Sequence, residues 1–167
     1  LTNANLDEVD LRNKDLTGVN LEQTKDSLIN KDMTGVLLNN AYLVGANLTG
    51  VNLTSANLSE ANLSTANLTG VNLTSANLSE ANLLEANLTG VDLSNKDLTG
   101  ITLINANLSG ANLTGVDLRN LDLTGANLTG VDLSNMDLTG TILTNANLTG
   151  VNLRGSNLNK AILTNAN

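Results

Sequence analysis

Any chemistry in this chain has to come from carboxylates, hydroxyls and amines. Its 167 residues carry 16 Asp and Glu against 8 Lys and Arg, a formal net charge of −8, and no His, Cys, Trp, Phe or Pro. Without Cys or His there is no disulfide, no soft-ligand metal site and no thiol or imidazole catalysis. Five carboxylates draw notice by their spacing: Glu60, Glu80, Asp97, Asp117 and Asp137 follow one another at intervals of 20 or 17 residues. A row of like charges suits display of a negative surface to a partner. Ser and Thr are abundant, but each takes a structural place in a short repeat with no base beside it, so no nucleophilic constellation forms. Tyr42 is the sole aromatic and eight basic residues make no phosphate footprint, so neither base stacking nor direct nucleic acid binding is expected. Acidity also disfavours anionic membrane surfaces, and no apolar run approaches a membrane span. The expectation is a non-enzymatic chain with no catalytic residue, cofactor or metal site.

What positions these side chains is a repeat of five. Leucine recurs from Leu6 through Leu21, and again from Leu28 to Leu163 with only Met33 departing from Leu, giving 32 units in all. Below, this leucine is the centre. Two residues before it stands a small apolar residue in most units, as in Ala46, Val51, Ala56 and Ala61. The residue between is usually Asn or Asp. Two corner places follow, first Thr or Ser, then Gly, Asn or Glu. A step of five turns a helix by roughly 140° each time, so no apolar face would persist. Apolar–polar–apolar order reads instead as a very short strand, and the corner places must turn the chain. All 14 glycines, from Gly18 to Gly155, occupy the second corner place, where φ > 0 is needed. Asn95, Asn105 and Asn135 take the same place, as the next most tolerant residue.

A longer period gives the number of sides. Residues 51–70 and 71–90 differ only at positions 64/84 and 65/85, and ANLTG or ANLSG recurs at 46, 66, 86, 106, 126 and 146. Four units therefore make one coil. Thirty-two units make eight coils, and at about 4.8 Å per coil the rod is roughly 38 Å long. Leu21 to Leu28 spans seven residues, so Thr24 and Lys25 are read as a two-residue insertion, a bulge or protruding corner that restores the 20-residue register. Residues 1–167 then form a single solenoid domain.

The motif A-(N/D)-L-(S/T)-G, as in Ala46–Gly50, resembles that of the pentapeptide repeat family across all 32 units. The resemblance implies an all-β fold, a right-handed quadrilateral β-helix with the centre leucine and the residue two before it pointing inward. One coil cannot stabilise itself, so hydrogen bonds and contacts between coils must. Asn47, Asn67, Asn87, Asn107, Asn127 and Asn147 fall in one outer column, where stacked amides would form a ladder. Lys14, Lys31 and Lys96 hold an inward place, where an unpaired charge is costly. Their stems are expected inside and their ammonium groups turned out, Lys96 towards Asp97. Leu1–Asn3 and Ala166–Asn167 read as parts of further units, so the chain is expected to be a segment of a longer array or part of an end-to-end assembly.

Three functions fit this surface. The first is a structural or protein-interaction rod, contacting a protein partner or itself through open solenoid ends. The second is a DNA-mimicking modulator of DNA gyrase or another type II topoisomerase, a role some members of the resembled family perform. The row Glu60, Glu80, Asp97, Asp117 and Asp137, on one side of five consecutive coils, supports it. The neutral amides beside that row, and the lack of aromatic centres, oppose it. The third is ice or polysaccharide binding by the Thr49, Thr69, Thr89, Thr129 and Thr149 column, which Ser109 interrupts and no second column accompanies. Calcium along the acidic row would lack an Asp-rich ligand loop. Twelve N-L-T or N-L-S triplets would be glycosylation sequons in a eukaryotic secretory route. Their density suits a bacterial source better, and low charge with Asn/Thr richness favours an exported or cell-surface protein slightly over a cytoplasmic one.

Overall fold

In the computed structural model, which describes residue 1, residues 4–22 and residues 28–167, the chain is a β-helix solenoid. The expected strands are reduced to single bridging residues at most fifth positions from Asp15 to Ile162, each followed by a turn, with Asp97 and Asp117 as the places left unbridged among the described residues of that span. Three residues between corners leave room for no more than one laddered pair. The bridges are parallel and join residues 20 apart, as in Asn47 with Asn67 and Asn62 with Asn82. Asp15 with Leu37 and Asn20 with Tyr42 span 22 instead. Thr24 and Lys25 lie outside the described residues.

Each turn is closed within its own coil, and most are tied to the next, though not, among the described residues, those at Gly70, Ser75, Gly100 and Gly115. The N–H of Ala46 donates to the Leu43 carbonyl at 3.0 Å, across a turn whose third residue is Gly45 at φ 64°. The Gly45 N–H donates to Ser64 O at 2.9 Å, in the following coil. Second corner places without glycine share this left-handed conformation, including Glu60 at 58° and Glu80 at 59°. An L-residue there costs about 1–2 kcal/mol, so Gly and Asn are favoured on physical grounds. Some corners also need glycine for space. A Cβ at Gly125 would run into the Asn105 side chain, whereas one at Gly90 would meet nothing within 4 Å.

Centre leucines and their small partners form one continuous core from Leu6 to Ala146, with most centres fully buried. The inward place tolerates polarity when a carbonyl is near. Thr141 is fully buried and its hydroxyl donates to Leu118 O at 2.8 Å. Ser156 donates to Leu133 O at the same distance. Lys31 is half-buried, and its ammonium donates to the Asp7 and Val9 carbonyls, both at 3.0 Å, while Lys14 is exposed. Lys96 corrects the sequence expectation. Its ammonium does not engage Asp97 but lies 3.4 Å from Ala76 O, burial pushes its pKa down, and the opposing charge is Asp92.

Candidate functional site

The Asn or Asp that stands before most centre leucines uses its side chain in two directions. One oxygen accepts the N–H two residues ahead in its own coil, as Asn67 Oδ1 does from Thr69 N at 3.1 Å. Such local bonds favour Asn and Asp at turns. The other atom faces the preceding coil. In several units this atom is an amide nitrogen that donates there: Asn87 to Asn67 Oδ1 at 3.4 Å, Asn127 to Asn107 Oδ1 at 3.1 Å, Asn67 to Thr49 Oγ1 at 3.0 Å. The expected Asn ladder is therefore interrupted and shared with the Thr hydroxyls, and where it forms it runs one way, from a coil to the one before.

The acidic residues fall on this frame unevenly. Asp97, Asp117 and Asp137 occupy the place before the centre in three successive coils. Glu60 and Glu80 hold a corner place three residues further along the same unit in earlier coils, so the five carboxylates form two short columns. Asp97 is held below the usual carboxylate range by the Thr99 hydroxyl and N–H, and Asp137 likewise by Thr139. Asp117 is drawn down to about 2, first by the side-chain hydrogen bond from Arg119. That guanidinium grips both carboxylate oxygens, Nε to Oδ1 at 2.9 Å and the terminal nitrogen to Oδ2 at 2.6 Å. All three carboxylates are ionised at neutral pH, and Arg119 neutralises the middle of the row.

Along this row the coils part. Among the described residues no bridge joins Asn77 with Asp97, Asp97 with Asp117, or Asp117 with Asp137, although Asn57 with Asn77 and Asp137 with Asn157 do pair. Clefts open at these levels and beside them. One of about 600 Å³ lies between Thr114–Arg119 and Asp132–Asp137, with Val116 and Met136 as its apolar lining and Asp117, Asp132 and Asp137 as its acids. A second, of about 240 Å³, lies between Val71–Ser75 and the segment Asp92–Lys96. Sequence reasoning found the acids but not the clefts. The signal for them was the residue beneath each Asp, 20 positions earlier.

No group of three or more Asp or Glu among the described residues is arranged to hold a metal ion, and no helix among them is long and apolar enough to cross a membrane. Tyr42 and Leu37, in adjacent units, are 50% and 40% exposed.

Comparison with known proteins agrees with the repeat geometry. The family model described as pentapeptide repeats matches in eight copies over residues 1–25, 32–70, 56–95, 66–103, 97–135 and 132–167. Among solved structures, the chain is 37% identical to HetL, a pentapeptide repeat protein involved in heterocyst differentiation regulation from the cyanobacterium Nostoc sp. strain PCC 7120. That match covers 99% of this chain and 85% of HetL, with a TM-score of 0.47. A second pentapeptide repeat protein of Nostoc PCC 7120 is 35% identical over 71% of this chain and 84% of its own, with a TM-score of 0.28. QnrB1, a plasmid-mediated fluoroquinolone resistance protein, is 18% identical over 91% of this chain and 71% of its own, with a TM-score of 0.46. A search of curated proteins finds no match. With the family's repeat matched along nearly the whole sequence and a relative this similar over nearly the whole chain, the protein belongs to the pentapeptide repeat family.

Proposed function

We propose that this chain is a non-enzymatic rod that presents its sides to a protein partner. In this reading residues 1–167 are one right-handed, four-sided solenoid of about eight coils, with the two-residue offset at Thr24 and Lys25. The observation that carries it is the contrast between sides. Asp117, Asp132 and Asp137 line one open cleft and Asp97 and Asp117 another between Lys96–Gly100 and Asp117–Leu121, whereas the column from Asn67 to Asn147 is neutral and closed. A partner surface bearing Lys or Arg fits the clefts and gains nothing from the column. Because the carboxylates are exposed, salt should weaken the contact steeply.

The test is titration with a defined basic probe, a labelled oligolysine peptide, at low and high salt. Binding should be salt-sensitive and should fall several-fold in the variant Asp132→Asn/Asp137→Asn, but not when Asn107 and Asn127 are replaced by Ser. Equal binding by both variants would overturn the reading. The same column gives the DNA-mimicking modulator of gyrase its support, and Arg119 in its middle weakens that alternative. A supercoiling assay separates the two, since only a DNA mimic alters topoisomerase turnover.

A further inference from the structure

We infer that the residue before each centre leucine is a directional switch: an Asp there unzips its coil from the preceding one, and three such Asp on one side build a compliant seam. The inference stands on the bridge pattern and is independent of the partner reading above.

The pattern has no exception among the described residues that have neighbours on both sides. Pairs whose later member is Asp are unbridged: Asp10 beneath Asp32, Asn72 beneath Asp92, Asn77 beneath Asp97, Asp97 beneath Asp117, Thr102 beneath Asp122, Asn112 beneath Asp132 and Asp117 beneath Asp137. Reversing the order restores the bridge. Asp32 with Asn52, Asp92 with Asn112, Asp132 with Asn152 and Asp137 with Asn157 all pair. In each of these the later Asn donates its amide to the earlier carboxylate, at 3.0 to 3.1 Å. The composition of a pair does not matter; its order does.

Side-chain polarity explains the order. Among the described residues every side-chain amide bond between coils runs from the later residue to the earlier, so an earlier Asn or Asp offers only acceptors upward. An Asp in the later place turns a second acceptor, and a charge, onto them. Repulsion is the cause, because a missing donor is harmless: Leu37 pairs with Asp15 beneath it, and Ile142 with Asp122. The backbone shows the consequence. Asn77 N donates to Ala56 O at 2.9 Å, but among the described residues the corresponding bond from Asp97 N to Ala76 O is not made. The carbonyls so released are those the inward lysines reach. Lys96, just before Asp97, turns its ammonium to Ala76 O, and Lys31, just before Asp32, donates to Val9 O. Meanwhile the column Asn47, Asn67, Asn87, Asn107, Asn127 and Asn147 stays bridged at every level, so the rod can open along one side while remaining closed along another.

The experiment is residue-resolved amide hydrogen exchange on the full chain, with circular dichroism to establish folding. In the variant Asp97→Asn/Asp117→Asn/Asp137→Asn, exchange at positions 97, 98, 117, 118 and 137 should slow about five- to tenfold, the worth of regained ladder bonds. In the reverse variant, Asn67→Asp, the amides of residue 67 and Leu48 should speed up by a similar factor, while Asn67→Leu should leave them protected. A folded triple variant with unchanged exchange overturns the seam. Asn67→Leu exchanging as fast as Asn67→Asp overturns repulsion as its cause. Should Asn67→Asp not fold, the triple variant decides alone.

Discussion

Two sides of one rod differ by a single atom type repeated in a column. From Asn47 to Asn147 the outer residue is an amide in every coil and the bridges run unbroken. From Asn77 to Asp137 the same place turns acidic in three coils, and there the bridges stop and clefts begin. The leucines beneath are nearly as buried on both sides, with Leu98 5% and Leu128 0% exposed. The core therefore does not decide which levels close. The outer layer does, through whether it places a donor or an acceptor against the coil below.

The largest effect that would test this separation lies in the core. Leu128→Ala, under the closed side, should cost about 3–5 kcal/mol, because the bridged coils cannot collapse into the cavity. Leu98→Ala, beside the seam, should cost about 2–3 kcal/mol, since an unbridged level can relax and admit water. Urea unfolding midpoints measure both. Equal losses would mean that the two sides are equally rigid and that the missing bridges have no mechanical consequence.

Next come the corners, where strain and space can be told apart. Gly90→Ala takes on only the left-handed backbone at φ 67°, a penalty of about 1–2 kcal/mol. Gly125→Ala adds the collision with Asn105 and should lose more, unless that amide swings aside. The double variant Gly125→Ala/Asn105→Gly should then recover the difference. Corners of the Asn-beneath-Gly kind recur along the chain, as in Asn95 under Gly115 and Asn120 under Gly140.

Much of this was legible in the sequence. Period five, the inward leucines and the Gly/Asn corners all follow from short-range stereochemistry, which each five-residue unit repeats. The seam was not, because a hydropathy pattern treats Asn and Asp as one polar class. Their difference appears only when residue n is read against residue n − 20 with the direction of the amide known. The same gap hid the partner of Lys96: Asp97 is its neighbour in sequence, but Asp92 is the charge that opposes its desolvation. Glu60 and Glu80 were grouped with the Asp column because they share a side, although their corner place separates them from it.

Lys96→Met probes the seam from inside. Met136 occupies the same inward column two coils later, so a linear apolar chain fits, and the substitution should change stability by less than about 1.5 kcal/mol. Its signature is in the alkaline limb. Burial lowers the Lys96 pKa, so between that value and the ordinary one near 10.4 the unfolded chain holds more protons. Wild-type stability should rise with pH across this window, and the variant should lose that rise. A rise that persists would assign it to another group.

The smallest effect sits on the outermost atoms. Asp117 owes its pKa of about 2 chiefly to Arg119, so the pair's contribution is complete above the ordinary carboxylate pKa. It is lost as pH falls from about 4 to about 2, where the folded carboxylate takes up its proton. Arg119→Gln should flatten this part of the acid limb and lower stability at pH 7 by the same amount, a small one because the ion pair is exposed. The variant also strips the guanidinium counter-charge from the middle of the row, so Asp97, Asp117 and Asp137 should then repel freely. Faster exchange at the amides of Asp117 and Leu118 in Arg119→Gln would show that the guanidinium limits how far the seam opens. Unchanged exchange there would leave the opening to the carboxylates' order in the stack alone.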